Sequence, residues 1–362
     1  MSTDLPHRPG PEVGILLSTY DFVNANKLFC FHFVTLNINE ANASPPIGAF
    51  FSLTSYLFQH AHRSARAMLY TYLSLFILQL LVEDPAVNKC LTNPELQVSV
   101  RLCRQRQPFL PIVKGKRIAT TVILDLMIDG INHNLRRRLD VDFYMYVAPL
   151  LVSFWSTHVM RTSLCLGILV RTLSYISRAK VRIAYHWAEL WKSLLALVRF
   201  LVTYAEDVRP NPRTPEMNSL VTNLLAFALS SGENFLSDSA SYDDLFYKLV
   251  ESGNVLGKFC DVFGSTHQPS SMQTLINVSS HYQSLLKTTS KGGKTKGKHL
   301  SPQEVNTIIQ QGYETLSIDA SEGLDRTEKF REANVRTVLK KIARAAVDDA
   351  KLLDGETGKE RR

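Results

Sequence analysis

The stretch that decides the fold is YHWAELWKSLLALVRFLV, residues 185 to 202. Its large apolar side chains recur every three or four residues and therefore fall on one face of a helix. Glu189, Lys192 and Arg199 occupy the opposite face. The pattern predicts an amphipathic helix packed on one side. Because large aromatic side chains on such an apolar face usually fill a core, we expect Trp187 and Trp191 to be buried.

Signals for helix starts recur along the rest of the chain. A capping residue followed by proline occurs at Asp84-Pro85, Asn93-Pro94, Thr214-Pro215 and Ser301-Pro302. Proline fits the first helical position, where its missing N–H is not needed. No comparable series of strand and hairpin signals is present. Among the helices predicted from periodicity are 12–38, 94–105, 141–159 and 162–178.

The spacing of these helices predicts the architecture. Loops are mostly short, so neighbouring helices should pack as antiparallel pairs, and several pairs start roughly 45 residues apart, near the period of HEAT and armadillo repeats. The predicted fold is all-α, an irregular armadillo/HEAT-like helical solenoid of antiparallel helix pairs. Its predicted divisions are a disordered N-terminus at 1–11, an armadillo-like helical domain at 12–290, a flexible Lys/Gly linker at 291–300, C-terminal helices at 301–353 and a disordered tail at 354–362.

Composition limits the class of protein. The 362 residues are 45% hydrophobic and 20% charged, which is enough to bury a large core, and the formal net charge is +8. The five cysteines have no disulfide or zinc-knuckle spacing, and the N-terminus lacks a secretory pattern, so a cytoplasmic location is expected. Two apolar runs, 67–82 and 143–160, approach the length of a membrane span. We interpret them as central helices of a core and keep an integral membrane protein as the alternative.

Candidate catalytic and metal sites are weak. KGGKTKGKH, residues 291 to 299, resembles a phosphate-binding loop, but it lacks the final Ser or Thr and a preceding strand. His60 and His62 have no third ligand at a helical spacing. Asp125 and Asp129 lie one turn apart beside Gly130, where we expect a helix end and a solvated polar stripe. The sequence therefore predicts no enzyme, no cofactor and no metal.

Basic side chains are the remaining candidates for binding. Arg136, Arg137 and Arg138 fall at the end of a predicted helix, where cations compensate the helix dipole. Together with basic residues between 101 and 117, Arg117 among them, they could form a surface for anionic lipid. Nucleic acid is not expected, since no binding motif accompanies these charges. The linker adds further candidate contacts for an anionic surface: Lys291, Lys294, Lys296 and Lys298.

Several stretches resemble a known family. YHWAELWKSLLALVRFLV and the later SYDDLFYKLVESGNVLGKFCDVF, at 241–263, resemble the C-terminal half of the armadillo-like helical domain-containing protein 3 family, including its fungal relatives. The resemblance extends over residues 13 to 330 and is most specific in Tyr-x-Trp-x-Glu-Leu-Trp at 185–191. It implies a helical-repeat adaptor associated with the Golgi, acting near phosphatidylinositol 4-kinase beta and an Arf exchange factor, and it implies no catalytic residues. Contact with the membrane would be peripheral.

Overall fold

A computed structural model describes most of the chain and confirms the all-α, armadillo-like helical fold. The described residues are 9–36, 45–62, 64–103, 110, 115–139, 151–264, 270–291 and 329–360; within them, 134, 136–139, 151–159, 270, 285–291 and 352–360 are described as backbone only. By their contacts, the residues form two compact units. Unit 1 contains residues 1–133 and 328–362, and unit 2 contains residues 134–327.

Unit 1 is built from helices of different lengths around one central helix. A 3-10 turn at Pro11–Gly14 precedes them, and a two-stranded antiparallel sheet pairs Gln97 with Ile118 and Val98 with Arg117. The elements of this unit are α1 (Ile15–Ala25), α2 (Lys27–Thr35), α3 (Pro46–His60), α4 (Ala65–Glu83), α5 (Pro85–Leu91), β1 (Gln97–Val98), β2 (Arg117–Ile118), α6 (Ala119–Leu139, shared with unit 2 after His133) and α14 (Glu332–Glu360).

Helix α4 lies at the centre of unit 1. Every residue from 70 to 78 is buried, because α1, α3, α5 and α14 all pack on this helix. The predicted run at 67–82 is therefore a core helix of the unit. Ser64 begins the helix by accepting a hydrogen bond from the backbone N–H of Ala67, and Asp84 ends it while capping α5.

Unit 2 is likewise helical, with helices of 4 to 28 residues. Its aromatic centre lies on α8, whose first residue Trp187 is 1% exposed and whose Trp191 is fully buried, as the sequence predicted. The helices are α7 (Leu151–Arg178), α8 (Trp187–Thr203), α9 (Ala205–Val208), α10 (Thr214–Ser231), α11 (Ser239–Glu251), α12 (Gly253–Phe263) and α13 (Ser270–Lys291).

The two tryptophans are fixed by neighbours from a distant segment. Their ring centroids are 5.8 Å apart in a stacked arrangement, and Phe235 lies 5.3 Å from Trp187. The indole N–H of Trp187 donates to the carbonyl of Ile183 at 3.2 Å, and the N–H of Ile183 donates to the carbonyl of Phe235. The strand-like bridge therefore places the aromatic ring of Phe235 against α8.

Three helix predictions are wrong. The predicted helix at 94–105 is replaced by a turn and β1, because Leu96 and Val98 are both buried and alternate with exposed neighbours, a period of two. The predicted helix at 12–38 is broken at Asn26, whose side chain accepts from the N–H of Phe29 and starts α2. The separate helices predicted at 141–159 and 162–178 imply a break near residue 160. The structure has no break there, because α7 continues through buried Met160 and Arg161.

Candidate functional site

The basic residues predicted as surface contacts are only partly placed by the structure. Arg136, Arg137 and Arg138 belong to the last turns of α6 and are described as backbone only. Lys291 is the last residue of α13, likewise without a described side chain. The remaining lysines of the predicted linker, Lys294, Lys296 and Lys298, lie outside the described residues, together with the rest of the loop that resembles a phosphate-binding motif. Their contact with an anionic surface stays a prediction.

Arg117 is not a surface cation, contrary to the prediction. Its side chain is 10% exposed, and its Nη1 lies 2.6 Å from the Oδ2 of fully buried Asp125. The pair joins β2 to α6 within unit 1. A buried guanidinium already paired with a carboxylate has little capacity to bind an external anion.

The prediction of a solvated stripe at Asp125 and Asp129 is also wrong. Asp129 is 8% exposed, and the helix continues past Gly130 to Leu139. Asp125 and Asp129, one turn apart, are therefore both covered by the fold. One turn further along α6, the ring of buried His133 lies 5.3 Å from that of His62. Across the described residues, no group of three His, Cys, Asp or Glu side chains is placed to hold a metal ion.

A second buried ionic contact fixes α14 on α4. The carboxylate of Asp349 lies 2.6 Å from the Nη2 of Arg66 and accepts a hydrogen bond from the hydroxyl of Tyr70 at 2.7 Å. Burial and this carboxylate raise the pKa of Tyr70 well above its ordinary value, so the phenol stays a donor. At the last residue of α4, the carboxylate of Glu83 accepts a hydrogen bond from the backbone N–H of Phe330, which precedes α14, at 2.8 Å.

Because one side of α14 is held in this way, the opposite side faces solvent. Val335, Ile342 and Asp349 are buried. Spacings of three, four and seven residues place the exposed side chains on one face. We call this the basic face, and it consists of Arg336, Lys340, Lys341, Arg344, Val347 and Lys351, with one exposed acidic side chain, Asp348, among them.

The charges of the basic face are mostly uncompensated. Lys351 has an ion-pair partner, Asp348, at 4.0 Å. Arg336, Lys340, Lys341 and Arg344 are exposed and have no ion-pair partner within the described part of the chain. From Arg336 to Lys351 the face is about 22 Å long at the helical rise. It is the strongest concentration of free positive charge that the described side chains contain.

Helices α1 and α2 carry an exposed apolar surface. Five of the six large apolar side chains exposed among the described residues lie between residues 15 and 36. We call this the apolar face. Its members are Ile15 (67% exposed), Phe22 (56%), Leu28 (65%), Phe31 (43%) and Leu36 (48%).

Ring stacking holds the apolar face in place. Phe22 stacks on Phe29 at 5.2 Å, Phe29 on Phe33 at 5.7 Å, and Phe33 meets Phe50 of α3 edge-on at 5.7 Å. The exposed phenylalanine at the end of α1 is thus connected through α2 to the core of unit 1. Exposed apolar side chains concentrated on neighbouring helices are the kind of surface feature that can mark a site of interaction.

The start of α1, where the apolar face begins, lies against α14, which carries the basic face. A Cβ atom built at Gly14 would lie 4.0 Å from the carbonyl oxygen of Ala346, so the start of α1 touches the middle of α14. Exposed Ile15 follows Gly14, and exposed Val347 follows Ala346. Apolar side chains from both helices therefore flank the contact.

The sequence predictions missed both faces, although signals were present. The four-residue spacing of Arg336, Lys340 and Arg344 could have indicated the basic face. In α2, KLFCFHFVT is apolar at nearly every position and so leaves an apolar side uncovered whichever side is buried. The prediction of one long amphipathic helix at 12–38 hid this feature.

Taken together, the described fold defines an all-α helical-repeat protein whose prominent surface features are an exposed apolar face and an exposed basic face. The family described as "Armadillo-like helical domain-containing protein 3, C-terminal" matches residues 117–352. The chain belongs to this family, which is not a known family of enzymes.

Comparison with curated proteins agrees. The chain is 24% identical to UPF0588 membrane protein C20F10.02c of Schizosaccharomyces pombe, over 94% of this chain and 52% of that protein. It is 24% identical to armadillo-like helical domain-containing protein 3 of Xenopus laevis and 22% identical to that of Homo sapiens, covering 39% and 37% of those proteins. The chain thus spans about half the length, or less, of these relatives. No solved structure matches the chain.

Proposed function

We propose that this chain is a non-enzymatic helical-repeat adaptor in Golgi membrane traffic, with phosphatidylinositol 4-kinase beta and an Arf exchange factor as protein partners. The family match over residues 117–352 carries the proposal, together with the resemblance of the chain to that family. The described surface fits a binding role, since its notable features are an apolar face and a basic face on a rigid helical support.

Purification of the tagged full chain from cells tests the adaptor function. We expect the kinase or the exchange factor to co-purify, and proximity labelling to mark Golgi proteins. A matched chain lacking 287–300 asks whether the predicted linker takes part in binding. If neither partner is enriched over an unrelated helical protein of equal abundance, the adaptor proposal is wrong.

A second candidate is an integral membrane protein. Among the described helices, one is long and apolar enough to cross a membrane, α4. The fungal relative is named a membrane protein. Against this candidate, 67% of the most apolar window of α4 is buried among other parts of the chain. Of the second predicted span, residues 143–150 lie outside the described residues, and 151–159 are described as backbone only.

Extraction of membranes separates the two candidates. An adaptor bound peripherally or through partners should be released by carbonate or high salt. A spanning protein would stay in the pellet until detergent is added, and that result would favour the second candidate.

A further inference from the structure

We propose that unit 1 docks directly on an anionic lipid bilayer through the basic face of α14 and the apolar face of α1 and α2. The proposal rests on the peripheral function proposed above, and it names the lipid-binding surface and the lipid class. None of the residues predicted from sequence as anionic-surface contacts belongs to either face.

The basic face supplies the attraction to anionic headgroups. Arg336, Lys340, Lys341 and Arg344 are exposed and have no competing ion pair among the described residues. A basic side chain near an anionic membrane surface contributes about 1 kcal/mol, which corresponds to roughly fivefold in partitioning. Because these contributions accumulate along one helix face, four such side chains give a strong dependence on anionic lipid and on salt.

The apolar face supplies the part of the contact that enters the bilayer interface. Leu28 and Phe31 lie three residues apart and so project from the same side of α2, and Leu36 follows the end of that helix. The titratable side chains of α2 are Lys27, Cys30 and His32, so no acidic group on that helix opposes an anionic lipid. The acidic side chain of α1 is exposed Asp21.

The chemistry of the apolar face favours lipid over nucleic acid. Nucleic-acid surfaces that combine cations with exposed apolar side chains use rings on which bases stack. Three of the five side chains of the apolar face, Ile15, Leu28 and Leu36, have no ring to offer a base, whereas Phe22 and Phe31 do. Aliphatic and aromatic side chains beside cations are instead typical of helices that lie in a membrane interface. The contact between α1 and α14 at Gly14 and Ala346 brings the two kinds of side chain together.

Vesicle sedimentation with the full chain tests the basic face. The probes are vesicles of phosphatidylcholine containing phosphatidylserine and vesicles of phosphatidylcholine alone, at low and high salt. The test variant is the triple substitution Arg336→Gln, Lys340→Gln, Arg344→Gln. Its control removes equal charge from exposed positions in unit 2 that belong to no predicted or proposed binding surface, Arg182→Gln, Arg199→Gln, Lys258→Gln. We expect roughly 100-fold weaker partitioning for the test variant and little change for the control.

The double substitution Leu28→Ser, Phe31→Ser tests the apolar face. It should weaken binding at least about tenfold and remove the binding that persists at high salt, because the lost contribution is apolar and unscreened. Its circular dichroism spectrum should match that of the wild-type chain, since both side chains are exposed.

Three outcomes would overturn the proposal. In the first, the wild-type chain does not sediment with phosphatidylserine vesicles. The two faces would then bind an acidic protein segment instead of a lipid bilayer. In the second, the control triple weakens binding as much as the test triple. In the third, the Leu28 and Phe31 variant binds normally. Each of these results leaves co-purification of the kinase or exchange factor unaffected, so the adaptor function can stand when the membrane-docking surface fails.

Discussion

The two units of this chain differ in what joins segments that are far apart in sequence. In unit 1 a buried ionic contact acts beside a ring contact: Tyr70 donates to Asp349 across 279 residues, Phe330 donates to Glu83 across 247, and the ring of Phe330 packs on Phe76. In unit 2 ring pairs of the core join distant segments, with Phe235 placed against Trp187 and Phe246 against Tyr282. A buried ionic contact requires a particular partner, whereas a ring cluster requires shape and volume.

The surfaces of the units differ as well. All six large apolar side chains that are exposed among the described residues lie in unit 1: Ile15, Phe22, Leu28, Phe31, Leu36 and Val347. The described surface of unit 2 exposes none. The exposed apolar side chains on which the docking proposal rests therefore all belong to unit 1.

The largest expected effect is the loss of an aromatic side chain from unit 2. Replacing Trp191 with Ala should lower the free energy of unfolding by roughly 3–5 kcal/mol, because a fully buried indole leaves a cavity that helices cannot close. Chemical denaturation followed by circular dichroism measures this loss. A variant that keeps its stability but no longer binds a partner would show that the ring belongs to a binding site.

A smaller loss is expected from the ionic connection in unit 1. The substitution Asp125→Ala leaves the guanidinium of Arg117 buried without its partner and should cost about 3 kcal/mol. The double substitution Arg117→Met, Asp125→Leu replaces the pair by apolar side chains of similar size and should recover most of that loss. If the double variant is as unstable as Asp125→Ala, the pair itself, rather than the abandoned charge, stabilises unit 1.

These two predictions also show what the sequence could and could not predict. The burial of Trp187 and Trp191 follows from spacing within one helix, and it was predicted correctly. The pairing of Arg117 with Asp125 depends on where α6 begins and on how β2 leads into it, and nothing local indicates either. From sequence alone, Asp125 and Asp129 are expected to form a solvated stripe, because carboxylates are mostly exposed.

The same reasoning explains the candidate site. The exposed charges of α14 could have been predicted from the spacing of Arg336, Lys340 and Arg344. Whether these basic side chains form ion pairs depends on which side of α14 packs on α4. Asp349 fixes that side by contacting Arg66 and Tyr70 of α4. The apolar face was harder to predict, since six of the nine residues of α2 are apolar and only the packing of its neighbours decides which of them stay exposed.

Alkaline pH should affect the aromatic core of unit 2. Burial raises the pKa of Tyr282 from 10 to about 12, and nearby Asp243 adds to the increase. Because the folded-state pKa is the higher one, the stability is complete below pH 10 and falls as the pH rises from 10 towards 12. The loss should reach about 2 kcal/mol.

Two variants test whether the buried phenol of Tyr282 causes the loss of stability at alkaline pH. Tyr282→Phe should unfold less steeply over that pH range than the wild-type chain. Tyr247→Phe, at a half-buried position on α11, serves as the matched control and should retain the wild-type slope. An unchanged slope in Tyr282→Phe would mean that another buried tyrosine, such as Tyr242, whose pKa is also raised by burial, dominates the alkaline transition.

The smallest effect is expected on the exposed face of unit 1. Leu28→Ser should change the free energy of unfolding by no more than about 0.5 kcal/mol, because the side chain is 65% exposed and leaves no cavity. The same denaturation experiment measures it. A stability loss of the size expected for Trp191→Ala would mean that Leu28 is covered in the folded chain, and α2 would then offer no apolar surface for binding. If Leu28→Ser instead leaves the free energy of unfolding unchanged but weakens vesicle binding, stability and binding depend on different side chains. Unit 1 would then be stabilised by its buried contacts and would bind through exposed side chains that contribute little to its stability.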